Sequence, residues 1–233
     1  ALFGEADVVV TVLDVNEPPV FVAQQRSILE NSAAGSAMGA KLDASDPDAA
    51  QTVSFEVTGG SDASSFDLSP NGQLTSSSIA SFDFESKTTY TVEVTASDNA
   101  TPSLTTKATI VVNVLNQNEA PTMPDAEATI AESAVVGATV QGTASLGTDP
   151  DAGDRLQYEL VKQEPDRPIF RVLASDGSIE VKSALLDFET VPVHKVWVRT
   201  TDIDGLADEG VITITIQDVN EPPTMLAQAR AVY

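Results

Sequence analysis

Acidic residues recur along this chain in a fixed order, and the order then repeats. Glu30, Asp46 and Asp48 in Asp-Pro-Asp, Asp83 with Glu85, and Asp98 are followed by Glu132, Asp149 and Asp151 in a second Asp-Pro-Asp, Asp187 with Glu189, and Asp202. Each partner lies 102 to 104 residues further on. Three short segments punctuate the series: Asn16-Glu17, Asn118-Glu119 and Asn220-Glu221, within DVNEPP, NQNEAP and DVNEPP. Carboxylates gathered in this way could serve as the acid and nucleophile of a glycosidase, or as oxygen ligands for a cation. They would repel one another unless a cation neutralised them, and calcium takes about six to eight oxygen ligands. Oxygen donors are all this sequence offers. With one histidine and no cysteine, zinc and copper sites are poorly supported. No spacing of Ser, His and Asp points to a triad, nothing indicates a substrate cleft, and the chain reads as a non-enzyme.

The balance of charge agrees. Thirty-five acidic residues against 12 basic ones leave −23 over 233 residues. That sign excludes nucleic acid as a partner, since its phosphates would repel the chain, and argues against anionic membrane surfaces. Without cysteine no disulfide can form, so stability must come from the cores and from bound ions. No signal peptide is visible, and no apolar run approaches the roughly 20 residues of a membrane helix.

The elements that must position these carboxylates are strands. Val8, Val10 and Val12 alternate with their neighbours, as do Ile110, Val112 and Val114, and again Ile212, Ile214 and Ile216. Period-two apolar spacing rich in Val, Ile and Thr predicts half-buried strands. Further strands are predicted at 20–28, 38–43, 53–58, 65–68, 73–79 and 89–97, then at 126–131, 138–146, 155–162, 169–174, 178–183 and 193–201. Turn signals such as Pro70-Asn71-Gly72 and Asp176-Gly177 separate them. About seven short strands per ~100 residues, with no convincing amphipathic helix, predict an all-β fold of tandem Greek-key, Ig-like sandwiches. The repeat frame assigns 1–16 to the last strand and linker of a preceding repeat, 17–118 and 119–220 to two complete repeats, and 221–233 to the start of another.

Glu after the first strand, Asp-x-Asp, Asp-x-Glu, a terminal Asp and an Asp-x-Asn-acid-Pro linker, in that order and twice over, resemble the cadherin repeat across essentially the whole chain. The resemblance implies end-to-end sandwiches with calcium at each junction. It implies a complete central junction of Glu30, Asp83, Glu85, Asn118, Glu119, Asp149, Asp151 and Asp202, with backbone carbonyls such as that of Gln117. It implies a partial N-terminal junction of Asn16, Glu17, Asp46, Asp48 and Asp98. A partial C-terminal junction would use Glu132, Asp187, Glu189, Asn220 and Glu221. The sequence departs from the family pattern in places. The linkers are one residue shorter, which implies fewer ions than the family's full set. The linker acid is Glu rather than Asp, Asn116 stands where the other linkers have Asp, and Glu30 lacks a preceding Pro.

Trp197 falls on the outward face of its strand, where it could contact a sugar ring or a partner, or lie flat beneath a loop. His194 falls inward and reads as a core or rim histidine. Asn99-Ala100-Thr101 matches a glycosylation sequon. The leading expectation is a calcium-dependent adhesion or spacer module of an extracellular, cell-surface or secreted protein. Its partners would be calcium and another surface protein, itself, or a glycan. The alternative is a carbohydrate-binding module. The absence of cysteine, the Ala/Thr/Asp-rich composition and the terse linkers look more like a large bacterial surface protein than an animal cadherin.

Overall fold

A computed structural model describes residue 5 and residues 7–223. The chain divides into two compact units, Ala1–Gln117 and Asn118–Tyr233. Each is built the same way. In the first unit the strands are β1 (Gln24–Leu29), β2 (Ser54–Gly59), β3 (Phe66–Leu68), β4 (Leu74–Ser76), β5 (Thr89–Ser97) and β6 (Thr105–Leu115). In the second they are β7 (Ala126–Ala131), β8 (Gln157–Glu164), β9 (Phe170–Val172), β10 (Ile179–Val181), β11 (Val193–Thr201) and β12 (Ala207–Gln217). The only helical element among the described residues is one 3-10 turn, Ala63–Ser65.

The long strands form where the alternation is cleanest. Val92, Val94 and Ala96 on β5 and Ile110, Val112 and Val114 on β6 are buried, while Glu93, Val111 and Asn113 between them are only partly buried. These two strands pair antiparallel from Thr89 opposite Asn113 to Ser97 opposite Thr105. The first sheet has the order β1-β6-β5-β2, with β1 parallel to β6 and β2 antiparallel to β5. The second unit repeats it as β7-β12-β11-β8, again with the first strand parallel. Facing each four-stranded sheet are the short pairs β3-β4 and β9-β10.

Between the layers lie separate apolar cores. The first gathers Phe21, Met38, Phe55, Phe66, Leu74 and Phe82 with the inward residues of β5 and β6. The second gathers Met123, Val140, Ile169, Phe170 and Ile179 with those of β11 and β12. His194 joins the second core, edge-on to Phe170 and 5.4 Å from it, so the inward assignment of that residue holds.

The predicted strands at 38–43 and 138–146 are present only as irregular edges. Residues 35–42 run along β4, with Met38 donating to the carbonyl of Leu74 and Leu42 to that of Gly72. Formal pairing is limited to single bridges, Ala37–Thr75 and Thr139–Glu180. The cause is local: Gly39 (φ 70°), Gly142 (φ 79°) and Ser145 (φ 53°) turn the backbone into the left-handed region, which interrupts regular pairing.

Residues 7–13 form no strand, and Val8, Val10 and Val12 are exposed. Their alternation describes what they could bury against a sheet, and a lone strand has no ladder to hold it. Residues 1–4, 6 and 224–233, which carry parts of the predicted flanking repeats, lie outside the described residues.

Candidate metal centre

The acidic motifs gather at two ends of each unit, and both units use the same local geometry. At one end of the first unit the linker meets the Asp-Pro-Asp loop. The Glu17 N–H donates to Asp48 Oδ2 (2.9 Å), and the Asp48 N–H donates to Asp46 Oδ1 (2.9 Å). Asn16 Nδ2 donates to Asp98 Oδ2 (2.8 Å), and Gln51 Nε2 donates to Asn16 Oδ1 (2.7 Å). The second unit repeats three of these four bonds, and Asp154 stands where Gln51 does. Glu119 N–H donates to Asp151 Oδ2 (2.8 Å), Asp151 N–H to Asp149 Oδ1 (2.9 Å), and Asn118 Nδ2 to Asp202 Oδ2 (2.8 Å). Short loops aim the terminal aspartates: Asp98 Oδ1 accepts the N–H of Leu104 and of Ala100, and Asp202 Oδ1 accepts those of Gly205 and Leu206. Burial by itself would raise both carboxyls. The asparagine amide and these backbone donors outweigh it and hold Asp98 and Asp202 below the ordinary carboxylate range.

At the other end of the first unit stands Glu30, 1% exposed. Its Oε2 accepts the Phe84 N–H (2.8 Å) and its Oε1 the Gln117 N–H (2.7 Å). Carboxylate oxygens of Glu30, Asp83 and Glu85 lie within 4.8 Å of one another. Asp83 is steadied by Ser86, which donates both its N–H and its hydroxyl. In the second unit Glu132 takes the N–H of Phe188 (2.9 Å) and of Val219 (2.6 Å), and Thr190 steadies Asp187. There the close group is Glu132, Glu189, Asp218 and Glu221, again within 4.8 Å. Burial, then Glu132, Glu189 and Asp218, push the Glu221 carboxyl above its usual value. Asn220 is exposed.

The donor set fits a hard cation. Asp46 Oδ2, Asp149 Oδ2 and Asp151 Oδ1 are buried without a hydrogen-bond partner. A buried anionic oxygen left unpaired is costly, and a divalent ion bound by oxygen ligands supplies the missing charge and coordination. Apart from Asn220, each predicted ligand takes part in one of these bonds or close groups within its own unit.

Three acidic residues lie in these groups without having been among the expected ligands. Asp14 lies with Glu17 and Asp48, Asp218 with Glu132, and Asp154 with Asp149 and Asp202. The first two open the DVNEPP segments, so the repeat itself could have flagged them.

Trp197 faces outward between the buried Val196 and Val198, as its register predicts. The Lys162 ammonium stands 3.8 Å from the centre of its ring and covers one face.

Comparison with known proteins meets this geometry with a family. The model of the cadherin domain matches residues 24–115 and again 126–217, and the chain belongs to that family, with two tandem cadherin domains. It is 32% identical to human Protocadherin Fat 4 over 236 residues, covering 96% of this chain and 5% of that protein. It is 30% identical to the Caenorhabditis elegans Cadherin EGF LAG seven-pass G-type receptor fmi-1 over 233 residues, covering 96% of this chain and 9% of that protein. The chain therefore spans a small fraction of these relatives. Both are animal proteins, in contrast to the bacterial look of the composition. Among solved structures, human Protocadherin-24 EC1-2 superposes with a TM-score of 0.69 at 21% identity, covering 88% of this chain and all of that one. Mouse Cadherin-23 EC22-24 gives 0.65 at 20% identity, covering 88% of this chain and 68% of that one. Cadherin domains are extracellular adhesion modules. No helix among the described residues is long and apolar enough to cross a membrane.

Proposed function

We propose that this chain is a calcium-dependent spacer of an extracellular or surface protein, in which calcium shared between successive repeats stiffens the chain into a rod. The proposed central site draws Glu30, Asp83 and Glu85 from the first repeat and Asn118, Glu119, Asp149, Asp151 and Asp202 from the linker and the second. Calcium would supply the positive charge that lets these carboxylates share a centre. The protein's own part is to hold the ligands beforehand. Backbone N–H groups of Phe84 and Gln117 orient Glu30, and Asn118 and the Gly205–Leu206 loop orient Asp202. The observation that carries the reading is the set of buried, unpartnered carboxylate oxygens at the Asp-Pro-Asp loops. The adhesion partner would be another surface protein or a second copy of the same one.

Calcium calorimetry with melting curves tests this. A ligand bound only by the native state stabilises it by about 2.7 kcal/mol at a hundredfold excess over its dissociation constant. The melting temperature should rise in calcium and fall in EDTA, and identical curves would reject the proposal. The carbohydrate-binding alternative rests on Trp197, and Lys162 over its ring leaves that reading less support.

A further inference from the structure

Resting on that calcium reading, we propose that the side chain of Asp154 is an additional ligand of the cation site at the Asp149–Asp202 end of the second unit, and that Gln51, its counterpart in the first unit, makes the matching site weaker. The sequence reading assigned no role to either residue.

The observations converge on one spot. Carboxylate oxygens of Asp149, Asp154 and Asp202 lie within 4.8 Å of one another. Asp154 Oδ2 and Asp149 Oδ2 are both buried and both lack a hydrogen-bond partner. Asp151, two residues from Asp149 and 7% exposed, has an unpartnered buried oxygen of its own, Oδ1. None of the ion pairs among the described residues involves these four aspartates. Burial comes first, and then Asp149, Asp151 and Asp202, in pushing the Asp154 carboxyl above its ordinary range.

The bland alternative is a solvated loop acid. Such a residue would turn its carboxylate to water, which screens like charges and satisfies its lone pairs. Asp154 instead sits half-buried, with an unsatisfied oxygen beside the carboxylates of Asp149 and Asp202. That arrangement is unfavourable for an anion standing alone and favourable for one of several oxygens around a cation.

The repeat supplies an internal comparison. Adding the 103-residue step between Asp46 and Asp149 to Gln51 gives Asp154. Gln51 points the same kind of group inward: its Oε1 is buried without a partner, while its Nε2 holds Asn16. Both units thus offer an oxygen at this position, charged in one and neutral in the other. Affinity for calcium follows the number of charged ligands, so the two sites should differ.

Calcium titration followed by NMR tests the assignment on the two-unit chain. The Gly205 amide, which donates to Asp202 Oδ1, reports the second unit's site. Asp154→Asn should raise the calcium midpoint of that resonance by about tenfold or more, as loss of one charged ligand predicts. Asp149→Asn should raise it too. Gln51→Asp should lower the midpoint at the Leu104 amide, which donates to Asp98 in the first unit. Metal-free spectra of each variant report folding, and Gln51→Asp tests the position by gain where Asp154→Asn tests it by loss. A midpoint unmoved by Asp154→Asn but raised by Asp149→Asn overturns the role of Asp154 and leaves the calcium reading intact. No calcium response in the unaltered protein overturns both.

Discussion

Replacing Glu30 with alanine should destabilise the first unit even when no metal is present. Glu30 is almost wholly buried, and each of its carboxylate oxygens takes one backbone N–H, from Gln117 at 2.7 Å and from Phe84 at 2.8 Å. A hydrogen bond to a charged group contributes about 1.5–3 kcal/mol net, so losing two costs about 3–6 kcal/mol. Against this, alanine removes repulsion from Asp83 and Glu85, whose oxygens lie within 4.8 Å of Glu30. Both neighbours are exposed, and with water screening them to the bulk-solvent limit each pair is worth about 1 kcal/mol at that distance. The hydrogen bonds win, leaving a loss of roughly 1–4 kcal/mol. For a domain of this size each kcal/mol moves the midpoint by about 4–8 °C. Thermal unfolding in EDTA should therefore show the first unit's transition several degrees lower in Glu30→Ala. Glu30→Gln keeps one acceptor and should fall between. A Glu30→Ala protein that melts at or above the unaltered one would refute the reasoning, because repulsion would then outweigh the backbone bonds.

Asp62 offers a pH test. Burial would raise its carboxyl, but Lys87 and the Thr91 N–H hold it below the ordinary value. A depressed carboxylate contributes its full stability above the unfolded pKa and loses it as pH falls through the folded one. Asp62→Asn should thus lower the melting temperature at neutral pH, with the gap closing in acid; a gap that ignores pH counts against the assignment. At Gly210 on β12 an added Cβ would stand 2.6 Å from the Met123 carbonyl oxygen and 2.7 Å from that of Pro124. Gly210→Ala should cost on the order of 1–3 kcal/mol, read by urea unfolding of the second unit, and no loss would show that the backbone there yields freely. Small-angle scattering should give a narrower distribution of shapes in calcium than in EDTA, and identical profiles would argue against a calcium-stiffened junction.

Much of this protein was legible before any coordinates. The alternation in β5, β6, β11 and β12 predicts strands at the observed places because one face of each is buried, and burial is what the two-residue period records. The spacing of about 103 residues registers the acidic motifs of one repeat on those of the other. Periodicity was less informative at 38–43 and 138–146, where apolar residues do enter the core but left-handed backbone at Gly39, Gly142 and Ser145 prevents a ladder. Only the tertiary structure decided how individual carboxylates point. Glu30 looks like any acid after a strand, and its two backbone donors come from residues 54 and 87 positions away. Asp154 reads as a loop residue beside glycine until chain closure brings it to Asp149 and Asp202. A side chain's type sets what it can bind, whereas contacts made across such separations depend on how the two sheets close over the core.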